Sequence, residues 1–181
     1  YDSIVNSGQL TKFYKNGSKE FTRVLLDNVR TGEERGYYES GKPAYVSEYV
    51  NGLIDGKEII YFDTGEVNYI QNYVSGVAEG DLRNFYKSGS LKTKYSVKNN
   101  KLDGKSELYY ESGKIKSIVN FINNLKEGKI EEFYESGKLK LTSNFFNDLL
   151  DGEYRTYYES GELEGFVNFQ KGLKEGDEIQ Y

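Results

Sequence analysis

The sequence predicts an all-β fold, an elongated array of antiparallel β-hairpins that forms one curled single sheet. Two glycine series predict it. Gly17, Gly41, Gly65, Gly89, Gly113, Gly137 and Gly161 recur every 24 residues, and Gly8, Gly32, Gly56, Gly80, Gly104, Gly128, Gly152 and Gly176 keep the same period. No insertion or deletion breaks either series. An insertion in any copy would shift a strand register, so constant spacing marks stacked copies of one supersecondary unit. The third observation is alternation of apolar and polar residues between the glycines, with no helical period.

The chain opens inside a repeat, because Tyr1 falls in the column of Leu25, Tyr49, Tyr73, Val97, Phe121, Phe145 and Phe169. Gln9 to Gly32 is the first full copy and the most divergent. Copies from Glu33, Lys57, Asp81, Lys105, Lys129 and Glu153 follow, and Asp177 to Tyr181 opens another. Residues 1–181 thus read as a single repeat array of about seven and a half copies, with no linker.

In the clearest copy, Lys105 to Tyr110 reads as a short strand and Lys114 to Ile122 as a longer one. Glu111-Ser112-Gly113 between them suits a three-residue hairpin loop, a type I turn closed by a G1 bulge whose left-handed residue favours Gly. The seven glycines of that series are the expected structural turn glycines. Asn123 to Gly128 reads as a polar return loop, and its acidic residue serves turn chemistry rather than calcium.

Pairing Tyr110 with Lys114 and Tyr109 with Ile115 assigns two faces. One collects Tyr109, Ile115, Val119 and Phe121 and is expected to be the apolar core; in the next copy it takes Phe133, Leu139, Leu141 and Phe145. The other takes Tyr110, Lys114, Lys116, Ile118 and Asn120. Two aromatic columns follow the split. Phe13, Tyr37, Tyr61, Phe85, Tyr109, Phe133, Tyr157 and Tyr181 mix Phe with Tyr, as expected of a buried column. Tyr14, Tyr38, Phe62, Tyr86, Tyr110, Tyr134 and Tyr158 keep a hydroxyl in all but one copy, as expected where it reaches water or a partner. Pro43, the only proline, belongs at a strand start where no ladder donor is lost.

Each hairpin advances the sheet by roughly 10 Å, giving a rod of about 70 Å. Its apolar face must then curl into a filled concavity or pair with another chain, and its end strands are open edges.

Composition excludes several chemistries. With no Cys and no His there is no disulfide, thiolate or imidazole catalysis, and every prominent carboxylate belongs to a repeat column. The chain is read as no enzyme, with no cofactor and no metal. A formal net charge of -5 without a basic run argues against nucleic acid and anionic membrane. Beginning without Met and stopping in mid-strand, the sequence reads as trimmed from something longer, which leaves its compartment open.

The string D/E-G-x-x-x-x-Y/F-Y-E-S-G-K-L/I-K, at Asp103-Gly104 to Lys116, Glu127-Gly128 to Lys140 and, with Glu162 and Glu164 for its two Lys, Asp151-Gly152 to Glu164, resembles the MORN-type repeat. It is most similar to the bacterial variant of YwqK-like antitoxin proteins. The resemblance implies an elongated sheet of hairpins with a non-enzymatic role in contacting other molecules; no apolar run approaches a membrane span, so the chain is expected to be soluble, in the bacterial cytoplasm or secreted or at the cell surface. Relatives of the MORN type are proposed to attach to membrane lipid or to scaffold and dimerise proteins. Here Lys42, Lys114 and Lys138 stand beside Glu39, Glu111 and Glu135 across the same turn, so local charge is expected to cancel, against lipid attraction. An aromatic cage for cations, as in choline-binding repeats, is disfavoured by the absence of Trp.

The functional expectation is therefore a repeat scaffold for protein–protein interaction through a Tyr-rich face or concave groove, with Tyr38, Tyr86, Tyr110, Tyr134 and Tyr158 as the candidate partner-binding residues. The alternatives are an antitoxin or immunity protein that neutralises a cognate toxin, and a cell-surface binder of lipid or glycan. Self-association through the apolar face or the end strands is a further possibility.

Overall fold

The structure, a computed structural model, describes residues 6–181. Tyr1, on which the expected start within a repeat rests, lies outside the described residues. The fold is all-β, and the described residues contain eighteen strands and no helix. They form two compact units, the first ending at Gly89 and the second running from Ser90 to Tyr181. The division falls inside a hairpin turn, at a point the uninterrupted repeat does not mark.

In the first unit, β1 (Gly8–Phe13), β2 (Lys19–Leu26), β3 (Val29–Tyr37), β4 (Pro43–Val50), β5 (Leu53–Tyr61), β6 (Val67–Val74) and β7 (Val77–Phe85) each pair antiparallel with the next. In the second, β8 (Leu91–Lys98), β11 (Ile115–Ile122), β14 (Leu139–Phe146), β17 (Leu163–Gln170) and β18 (Leu173–Gln180) are long. Between them run strands broken by one residue: β9 (Lys101–Leu102) with β10 (Gly104–Tyr109), β12 (Leu125–Lys126) with β13 (Gly128–Phe133), and β15 (Leu149–Leu150) with β16 (Gly152–Tyr157). Pairing is again between neighbours.

Two turn types alternate. At the Glu-Ser-Gly turns the Gly113 N–H donates to the Tyr110 carbonyl at 2.9 Å and the Tyr110 N–H to the Lys114 carbonyl at 2.8 Å. Gly113 has φ +84°, and its six equivalents also lie in the left-handed region. Pro43 opens β4 opposite Tyr37, before the pairing of β4 with β5 begins at Tyr45.

The return segment is tighter than a six-residue loop. Ile122 pairs with Leu125, leaving only Asn123 and Asn124 as the turn, both with positive φ. That is a type I′ turn, which suits the strand twist and tolerates Asn and Gly. Asp27-Asn28, Asn51-Gly52, Ser75-Gly76, Asn99-Asn100, Asn147-Asp148 and Lys171-Gly172 repeat it. Within each unit such turns are tied to the preceding repeat: the Asn124 N–H donates to the Leu102 carbonyl at 2.8 Å, and Asn124 Oδ1 accepts the Leu102 N–H at 2.6 Å. The acidic column caps these turns. Asp55 accepts the Ser75 N–H at 3.2 Å and Glu127 the Asn147 N–H at 3.0 Å.

The expected assignment of faces is overturned by a second bulge. Leu108 pairs with Ser117 but Tyr109 with Ile115, so Lys116 has no opposite residue. One extra residue reverses every side chain beyond it. Tyr109 and Ile115 therefore share a face with Ile118 and Asn120, whereas Val119 and Phe121 share the other with Ser106, Leu108 and Tyr110. The same slip precedes Phe133, so Phe133 and Phe145 lie on opposite faces. The expected difference between the aromatic columns is also absent: Tyr37, Tyr61, Tyr109, Phe133 and Tyr157 are half-buried, and so are Tyr38, Phe62, Tyr110 and Tyr134.

The well-covered face is the one carrying Ser106 and Val119. Among the described residues, the buried apolar side chains Val97, Val119, Ile130 and Val167 all lie there. So do Ser47, Gln71, Ser106 and Ser143, the most deeply buried side chains. By strand alternation Ser47 sits between Tyr45 and Tyr49, Gln71 between Tyr69 and Tyr73, and Ser143 between Leu141 and Phe145, each neighbour larger than the residue it flanks. The opposite face carries ion pairs between residues two apart, such as Lys105 with Glu107 at 2.8 Å and Lys129 with Glu131 at 2.6 Å. Pairs this exposed add little stability.

Candidate functional site

The five expected partner-binding tyrosines occupy equivalent places and are not gathered into one site. Their hydroxyls have a structural task. Tyr38 donates to the Tyr61 carbonyl at 2.6 Å, Tyr110 to that of Phe133 at 2.7 Å, Tyr134 to that of Tyr157 at 2.8 Å and Tyr158 to that of Tyr181 at 2.9 Å. Each bond joins one repeat to the next. The Lys116 and Lys140 ammonium groups lie over the Tyr110 and Tyr134 rings, at 5.6 and 5.8 Å from their centres. Tyr86 is half-buried in the first unit. Two of the turn lysines also link one turn to the next: Lys42 donates to the Thr64 carbonyl at 2.8 Å and Lys138 to the Ser160 carbonyl at 3.0 Å.

Two of the five line pockets. Tyr158, with Tyr154, Thr156, Glu164, Glu178 and Tyr181, borders one of about 280 Å³. Tyr38 borders a larger one of about 410 Å³ on the covered face of the first unit, with Arg23, Arg30, Glu34, Tyr45, Tyr49 and Glu58.

This second pocket is built by departures from the repeat. Glu34 and Glu58 occupy a column otherwise filled by Leu10, Leu82, Ser106, Ile130 and Tyr154 until the exposed Glu178 on β18. Glu34 is only 2% exposed. Its Oε1 accepts Arg23 Nη2 at 3.0 Å and the Tyr45 hydroxyl at 2.7 Å, while Arg30 Nε stands 3.6 Å from its Oε2. Arg23 is held against the Phe21 ring, 3.8 Å from its centre, and Arg30 donates to the Tyr49 hydroxyl at 3.2 Å. Gly36 makes room for this arrangement. A Cβ there would fall 1.9 Å from a Tyr45 ring carbon.

Glu58 is served differently. Its oxygens accept the Ser47 hydroxyl and the Tyr73 hydroxyl, each at 3.2 Å, and Tyr73 touches the Tyr69 hydroxyl at 3.1 Å. Burial, first, and then the carboxylate or phenol each hydroxyl meets push Tyr45 and Tyr73 well above the ordinary phenol range. Both phenols therefore remain hydrogen-bond donors at any physiological pH. The arrangement can bind and orient a polar group between aromatic walls. It has no Cys or His to serve as nucleophile or base, and the described residues include no cluster of three or more acids that could hold a metal ion.

Sequence reasoning missed Glu34, Glu58, Arg23 and Arg30 because it weighed carboxylates by whether they recur. The usable signal was the reverse: an acid in a column whose other strand-bound members are mostly apolar or small.

The repeat frame itself decides the family. The model of the MORN repeat variant matches residues 30–51, 54–75, 102–123, 126–147 and 150–171, together more than half of the chain. The chain belongs to the MORN repeat variant family. Each matched segment runs from one type I′ turn to the next, so the family unit is one hairpin with its Glu-Ser-Gly-type turn in the middle. MORN repeats generally serve as scaffolds for protein or lipid interaction and are typically non-enzymatic. No protein of curated function matches the chain, and nothing ties it to the antitoxin branch.

Proposed function

We propose that this MORN repeat chain is a non-enzymatic scaffold that holds a protein partner on the covered face of its first unit. The observation that carries this reading is the pocket bounded by Arg23, Arg30, Glu34, Tyr38, Tyr49 and Glu58. Burying Glu34 with an arginine on either side costs desolvation that an apolar pair would avoid, as Val119 and Ile130 do at the equivalent positions. Departures of this kind from local rules concentrate where a protein does its work. Tyr38 meets the partner through its ring, since its hydroxyl is committed to Tyr61. Tyr86, Tyr110, Tyr134 and Tyr158 offer the same ring surface in other repeats.

Cross-linking of the purified chain to interacting proteins, followed by mass mapping, tests the reading. Cross-links should cluster around Arg30 and Tyr49, and Tyr49→Ala should lose them while the far-ultraviolet spectrum is kept. Flotation of the chain with phosphatidylcholine vesicles, together with no specific protein cross-link, would overturn it in favour of lipid.

A further inference from the structure

We propose that the pocket of the first unit takes a cationic side chain, a lysine or arginine presented by the partner protein, with Glu58 as its counter-charge. This rests on the scaffold reading above and deepens it. The charges in the pocket are two carboxylates, Glu34 and Glu58, and two guanidinium groups, Arg23 and Arg30. Both arginines are directed at Glu34, at 3.0 and 3.6 Å. Arg23 is further fixed on Phe21 and Arg30 on Tyr49. Glu58 receives only hydroxyl donors, at 3.2 Å each, and has no ion pair among the described residues. The four charges of the recess sum to zero, but both cations sit on Glu34, so Glu58 has no cation of its own at ion-pair distance in a half-covered site where the reduced dielectric strengthens close attraction.

Glu34, which lines the same recess, has an oxygen that Arg30 approaches only to 3.6 Å. Glu34 Oε2 accepts no hydrogen bond although its side chain is 3% exposed. A buried acceptor left unmade is costly, and a donor brought by a ligand relieves that cost. Tyr38, Tyr45 and Tyr49 line the recess with aromatic surface, of which Arg30 already uses the Tyr49 ring, and Ile60 adds an apolar lining residue for the alkyl stem. An anionic group fits poorly. It would compete with Glu34 for the arginines and approach Glu58, which has no ion-pair partner among the described residues. Ser106 and Ile130 stand in the second unit where the first has Glu34 and Glu58, so this pair of carboxylates is not repeated at those positions.

The test titrates the full chain with three blocked pentapeptides, Gly-Gly-Arg-Gly-Gly, Gly-Gly-Lys-Gly-Gly and Gly-Gly-Glu-Gly-Gly, followed by NMR shifts of the Tyr45 and Tyr49 rings. The arginine or lysine peptide should bind saturably, more weakly as salt rises, and Glu58→Gln should weaken it at least tenfold. Glu153→Gln on the outer ion-pair face should leave it unchanged, and equal urea midpoints for wild type and Glu58→Gln would show that the fold is intact. The proposal is overturned by no saturable binding of either cationic peptide at millimolar concentration, by preferential binding of the glutamate peptide, or by undiminished binding to Glu58→Gln. If Glu58→Gln also keeps all the cross-links of the wild type, the cationic pocket fails while the scaffold reading stands; loss of cross-links in wild type itself fails the scaffold reading.

Discussion

Replacing Tyr110 and Tyr134 together by Phe removes two hydroxyls that donate to the Phe133 and Tyr157 carbonyls at 2.7 and 2.8 Å, and leaves both rings in place. A neutral hydrogen bond of this kind contributes about 0.5–1.5 kcal/mol net, so the pair should lose about 1–3 kcal/mol. With a urea slope of roughly 1–3 kcal/mol per molar for a small domain, the midpoint of the second unit should fall by about 1 M. The chain contains its own reciprocal experiment. Phe62 is the one member of the column without a hydroxyl, and Phe62→Tyr would point one at the Phe85 carbonyl, 23 residues on as in the other copies. That variant should gain up to about 1 kcal/mol. Urea unfolding followed by tyrosine fluorescence reads both changes. An unmoved midpoint in the double Phe variant would refute the idea that these hydroxyls staple repeat to repeat, and weakened partner binding at unchanged stability would instead make the column a contact surface.

Three further outcomes follow from the geometry. Glu34→Ile leaves Arg23 and the Tyr45 hydroxyl half-buried without their acceptor and should cost about 3–5 kcal/mol; adding Arg23→Val, which recreates the Val119 and Ile130 pair, should recover at least half in thermal unfolding, and full additivity of the two losses would contradict the coupling. Asn124→Ala forces Ala to a φ near +73° and removes the bond to the Leu102 N–H, so a loss of about 1–3 kcal/mol is expected, whereas the same change at the exposed Lys98, which has normal φ, should cost far less. Alkaline titration should be biphasic. Burial foremost raises the pKa of Tyr45, Tyr69, Tyr73, Tyr110 and Tyr154, and burial with the Glu107 bond pushes Tyr109 up to about 12. A raised folded-state pKa stabilises fully below the unfolded value near 10 and is lost as pH climbs through the folded value. Phenolate absorbance should therefore show these tyrosines ionising only as circular dichroism falls above about pH 10; all 18 titrating together near 10 in folded protein would contradict it.

What the sequence determined alone is what depends on near neighbours. A 24-residue glycine period, a Gly with φ +84° after Glu111-Ser112 and short alternating runs fix hairpins, their turns and the family, because a left-handed backbone and strand alternation are local properties. The type I′ turns were equally legible in Asn51-Gly52 and Asn123-Asn124, had those dipeptides been separated from the acidic residue and Gly that follow. Only tertiary structure decided which face is covered. One residue without a partner, Lys116, transfers Val119 and Phe121 to the side of Tyr110, and no local preference in Lys-Ile-Lys-Ser announces it. It also decided where the tyrosine hydroxyls go, 23 residues along the chain, and that Arg23, Glu34, Tyr45 and Glu58, drawn from four strands, meet in one recess. Partners at that separation are chosen by register across the sheet, and register is a property of the assembled hairpins rather than of any one of them.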